Sequence, residues 1–254
     1  LTERGAELLA RHPDGIDQTV LAADPEFRRF LARQHLAARG AGADEQQLDA
    51  YAARWTEMYA ESCRATFVTQ QQSERLHDHR MQCMRRRRDR LRSAVDALAE
   101  ITEPQQAVDR TVLPFVLPPL TECADLEAVT AASPLPSEPA ARERIAELRR
   151  RLDEAQTLQT AGELRSGITL AQAVVDAARE EGFPPLQAEA LGILGALQAM
   201  GGSAREAQIT LEAAIREAAH AKDDVTAARA WTWLVYALVL QRRLDEGLSL
   251  ELAA

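Results

Sequence analysis

Residues 188–215 read AEALGILGALQAMGGSAREAQITLEAAI. Apolar side chains recur every three or four residues on both sides of Gly201-Gly202. That spacing predicts two amphipathic helices joined by a tight turn. Within the first, Gly195 stands among larger apolar residues. Helices that cross closely need a small residue at the contact, and a large one fills the next gap. Ala207, Leu211 and Ala214 supply such a small, large, small series on the second helix.

The same stretch resembles the tetratricopeptide helix–turn–helix. Leu191 stands in the place of that family's tryptophan, Leu194 in that of its leucine, and Gly195 in that of its small crossing residue. Forty residues earlier, Leu158, Gly162, Leu164 and Gly167 fall on equivalent positions. Forty residues later come Trp231, Leu234, Val235, Leu238, Leu244 and Gly247. A period of 40 exceeds the usual ~34 of these repeats. The extra residues are expected in the second helix of each pair and the following loop, at Glu180–Pro185 and Ala219–Asp224. Arg151 replaces the tryptophan in the first repeat, and Arg242 the turn glycine in the third.

Composition agrees with a helical chain. Of 254 residues, 46% are hydrophobic, 4% are aromatic and 12 are glycines. Alanine and leucine dominate, which favours helices over a sandwich or barrel. No apolar run is long enough to span a membrane. A net charge of −9 argues against a general nucleic-acid binder. A start at Leu1 without methionine, and an end soon after Gly247, read as a piece of a longer chain.

The fold class expected is all-α: an N-terminal helical segment with a long antiparallel hairpin, followed by a tetratricopeptide-like α-solenoid. The boundaries are 1–101 for the first part, 102–139 for a proline-rich connector and 140–254 for about two and a half helix pairs. Leu1–His12 and a helix opened by Asp24-Pro25 come first. Asp44 then caps a longer helix with the stripe Leu48, Tyr51, Trp55, Met58 and Ser62. A turn near Gln70 is expected, with Thr69 and Gln72 as a capping box. The returning helix carries Leu76, Arg80, Met84, Arg87, Leu91, Ala94 and Leu98. Under this register Arg87 lies beside Trp55, in range of a cation–π contact. Pro114-Phe-Val-Leu-Pro118-Pro119 reads as a rigid extended connector, and Asp125–Ala132 as one or two turns of helix.

A wider resemblance lies in several separated patches: Tyr51-Ala-Ala-Arg-Trp55, Cys63-Arg-Ala-Thr66, Gln72-Ser-Glu-Arg-Leu76, Arg80-Met-Gln-Cys83 and Arg86-Arg-Arg-Asp-Arg-Leu91. They resemble the segment C-terminal to the kinase domain in large bacterial serine/threonine protein kinases of the myxobacterial type. There such a segment precedes a tetratricopeptide array. The resemblance implies a regulatory or partner-binding region, in the cytoplasm or tethered beside the membrane. The catalytic machinery would lie elsewhere, because no glycine-rich loop, His-Arg-Asp or Asp-Phe-Gly occurs here.

Few residues suggest chemistry. Arg85–Arg88 go round a helix and do not make one patch, so they read as a solvated face paired with Asp89. His77, His79 and Cys83 lack a full metal-ligand set. The cysteines read best as free thiols. Cys63 and Cys83 are mismatched by about five residues, or ~7.5 Å, along the helices. Cys83 and Cys123 stay possible, since the connector can fold back. No serine–histidine–acid set can be assembled, and Glu180-Glu181 and Asp223-Asp224 read as loop charges. No cofactor, metal or small-molecule ligand is expected.

The partner expected is a protein or peptide. Tetratricopeptide arrays bind on the concave face built by the first helix of each pair. Carried over, that face holds Arg149, Gln156 and Gln159, then Glu189, Ala196 and Met200, then Arg229, Thr232, Tyr236 and Leu240. The competing explanation for Tyr236 and Leu240 is packing against a further helix. Two other functions fit the pattern: a free-standing scaffold or adaptor, and the sensor arm of a helical-repeat transcriptional regulator or ATPase.

Overall fold

A computed structural model describes residues 45–243, apart from 103, 127–128 and 130–134. The described residues are helical, with no strand among them. The expected helices at Leu1–His12 and after Asp24-Pro25, and Leu244 and Gly247, lie outside the described residues, as does part of Asp125–Ala132. The chain divides into two compact units, Leu1–Ala132 and Ser133–Ala254.

In the first unit, α1 runs Glu45–Phe67 and α2 runs Glu74–Ala99. Polar contacts tie them. Trp55 Nε1 donates to the Met84 carbonyl at 2.8 Å. Ser62 Oγ meets His77 Nδ1 at 3.1 Å, and Arg80 meets Glu61 at 2.6 Å. Partner numbers rise on one helix as they fall on the other. Leu48 and Ala52 are buried with Leu91, Ala94, Val95 and Leu98 at one end of the pair. Between the helices Gln70 takes φ +54°. Ser73, not Thr69, caps α2: its hydroxyl accepts from the Leu76 amide. Gln72 instead reaches across to Ser62 and Thr66, both at 2.9 Å. The capping-box reading fails because a buried polar cluster takes the glutamine.

The stretch read as an extended connector also differs. It folds into α3 (Pro104–Arg110) and two 3₁₀ turns, Leu113–Phe115 and Leu120–Cys123. Leu113 packs with Leu48 and Leu98, and Leu120 with Trp55, Met81 and Met84. Burying these apolar residues outweighs the extended preference that the prolines confer. Arg110 is buried and donates to the Ala97 carbonyl.

The second unit contains α4 (Pro139–Thr160), α5 (Leu164–Glu181), α6 (Pro184–Met200), α7 (Ala204–Ala221) and α8 (Asp224–Leu240). Each packs on the next, and α6 also touches α4 and α8. Prolines open α4 and α6 at positions where the missing amide would have had no partner. Asp223 opens α8 by accepting from the Thr226 amide at 3.0 Å.

The helix boundaries themselves repeat. α5 and α7 begin at 164 and 204, and α6 and α8 at 184 and 224. The left-handed residues keep the same step: Gly162, Gly202 and Arg242 in one series, Gly182 and Lys222 in the other. The loops expected to absorb extra residues are only two long, Gly182-Phe183 and Lys222-Asp223. The additional length lies in the helices, of 17 or 18 residues each from α5 onward.

Candidate protein-binding face

The face expected from the repeat pattern belongs to α4, α6 and α8. Burial of the opposite faces positions it. Leu152 and Ala155 of α4, Leu194 and Leu197 of α6, and Leu234 and Leu238 of α8 all turn into the core. The other side of these helices leaves Met200, Arg229, Thr232 and Tyr236 at the surface.

The structure brings some of the expected residues together. Arg149 Nε meets Glu189 Oε2 at 3.2 Å, and both side chains are largely shielded from solvent. The Arg149 guanidinium also lies 5.8 Å from the centre of the Phe183 ring. These two residues therefore join α4 to α6. Gln159 likewise reaches Met200 Sδ at 3.1 Å, and Gln156 is half-buried. Ala196 is buried, so it presents nothing to a partner.

The α8 residues stand differently. Arg229 and Thr232 are exposed, and Tyr236 and Leu240 are 42% and 45% exposed. Thr232 Oγ1 donates back to the Ala228 carbonyl at 3.0 Å. Tyr236 makes an edge contact with Trp233, ring centres 5.6 Å apart. Arg229 and Tyr236 are seven residues apart, two helical turns, and so share a face. Val225 and Val239 on the same helix are exposed as well.

Other suggested features are absorbed by structure. Arg87 pairs with Glu122, and Arg88 with Asp89 at 3.0 Å. Burial lowers the Arg85 pKa, and Arg88 nearby adds to the shift. Glu181 pairs with Arg144 at 2.8 Å. No metal-ligating cluster occurs among the described residues.

The sequence leaves one feature open and does not show a second. One corrects the free-thiol reading: Cys83 and Cys123 form a disulfide, Cα atoms 5.5 Å apart, and only Cys63 stays a thiol. The other is the cluster of Ser62, His77, Gln72, Thr66 and Arg80. Ser62 and His77 have the contact of a nucleophile and its base. Both are buried, at 0% and 5% exposure. Burial also holds the His77 pKa below its ordinary value. Arg80 closes the cluster through Gln72 Oε1 at 2.7 Å. Its work is to join the two helices at their turn.

Comparison with protein-family models, curated proteins and solved structures finds no match.

Proposed function

We propose that this chain is a non-catalytic protein-binding module. Its long α1–α2 pair serves as an antiparallel hairpin support, and α4–α8 as a tetratricopeptide-like array. The observation that carries the reading is the exposed row Arg229, Thr232, Tyr236 and Leu240 on α8. Arginine and tyrosine are the side chains that most often dominate interfaces. The spacing of helix ends by forty residues supports the repeat reading. The parent is proposed to be a bacterial serine/threonine protein kinase, on the sequence resemblance alone. The open reading frame upstream of Leu1 tests this point. A kinase domain there supports it, and a nucleotide-binding regulatory domain favours the sensor-arm alternative.

Docking is tested by a photo-crosslinking amino acid placed at Tyr236 in the parent protein. Ile209 on α7, 63% exposed, is the control position. Specific adducts at 236 and none at 209 support the face. Equal labelling at both, or none at 236, overturns it.

A further inference from the structure

Unit 1 holds one covalent link that no proposed function uses. Cys83 comes from α2 and Cys123 from the second 3₁₀ turn. Independent contacts hold that turn in place around the link. Tyr51 Oη donates to the Pro118 carbonyl at 2.8 Å. Arg87 pairs with Glu122, next to Cys123. Leu120 and Cys123 are buried with Trp55, Met81 and Met84. Cys123 itself has no exposed surface. Apolar packing and hydrogen bonds thus deliver the two sulfurs to bonding distance, and the Cα separation of 5.5 Å is in the range that disulfides favour.

From this geometry we infer that the Cys83–Cys123 bridge is a permanent structural link, so that this part of the chain matures and works in an oxidising compartment, outside the reducing cytosol. Reducing compartments keep thiols reduced, and bridges there are chiefly transient ones with catalytic or redox-sensing roles. This one has Cys123 fully buried and Cys83 partly buried, and it closes a sequence separation of 40 residues. Forming it removes one proton and one electron from each thiol. Both electrons pass to a disulfide oxidant, which leaves as two thiols. The third cysteine does not compete. Burial raises the Cys63 pKa to about 11, so it carries almost no thiolate near neutral pH and does not attack the bridge.

The test uses the parent protein in its own cells. Cells are quenched in acid, and free thiols are alkylated in denaturant with a light reagent. The sample is then reduced and alkylated with a heavy form of the same reagent. The expected result is light label on Cys63 and heavy label on Cys83 and Cys123. Before reduction, the tryptic peptide Met81–Arg85 should be joined to Thr111–Arg142. Light label on Cys83 and Cys123 in the trapped cells overturns the inference, including when a bridge appears later in the lysate. On the purified protein, reduction should lower the melting temperature of unit 1 by about 10–20 °C. An unchanged melt counts against the bridge as a structural link.

Discussion

Leu211 of α7 lies directly over Gly195 of α6. A Cβ built on Gly195 would sit 2.5 Å from Leu211 Cγ. Gly192, one turn earlier, has nothing within 4 Å of its Cβ position. The two glycines therefore respond oppositely. Gly195→Leu should destabilise the unit by roughly 1–3 kcal/mol through overpacking. Gly192→Ala should stabilise it by about 0.5–1 kcal/mol, because alanine is the better helix former. Thermal melts of both variants check this, and a rise for Gly195→Leu would contradict the contact.

The left-handed positions make a second pair of expectations. Lys222 ends α7 at φ +55°, where its counterpart forty residues earlier is Gly182 at φ +66°. Lys222→Gly should stabilise the unit by about 1 kcal/mol, by relieving the Cβ clash. Gly182→Ala should destabilise it by about 1–2 kcal/mol. Chemical denaturation with unchanged slopes is the measurement.

Tyr51 donates to the Pro118 carbonyl and is partly buried there. Desolvation raises its pKa to about 12, so it stays protonated and able to donate well above neutral pH. Tyr51→Phe should cost about 1 kcal/mol and loosen residues 111–123. Hydrogen exchange of that stretch reports the loosening.

His77 should give unit 1 an acid-sensitive stability. Its folded pKa is depressed by burial, so the unfolded chain binds the proton more readily. Stability is fully present above the unfolded value of about 6.5 and falls as pH drops below it, down to the folded pKa. His77→Gln should flatten that part of the profile. An equal slope between pH 7 and 5 in both proteins would show that other groups carry it.

The isolated chain is expected to show no saturable ATP binding by calorimetry. Its sequence lacks a phosphate-binding loop and a metal-binding aspartate in kinase context.

Helical periodicity and the forty-residue step are visible in the sequence because they depend on spacing alone. The close approach at Gly195 is visible too, since only a small residue fits such a crossing. The bridge is legible only as one open pairing, because Cys123 reaches Cys83 only once Leu113 and Leu120 bury and fold the proline-rich stretch back. The Ser62–His77–Gln72 cluster was hidden for a similar reason. Local pattern matching pairs Gln72 with its neighbour Thr69, whereas from the loop it bonds back to Ser62 and Thr66 on α1. On the candidate face, a repeat pattern treats Arg149 and Glu189 as two free side chains. Their pairing appears only when α4 and α6 stand side by side.

The positions of Arg149, Glu189 and Arg229 alternate in sign at forty-residue steps. Suppose recombination within the gene removed one whole unit, residues 184–223. The helix that now begins at 224 would follow α5 directly, and Arg229 would take the place of Glu189 opposite Arg149. Two cations would then meet where a cation and a carboxylate now pair. Duplicating the same unit would set glutamate against glutamate. At this position a chain one unit shorter or longer would carry a like-charge junction, and the present count does not.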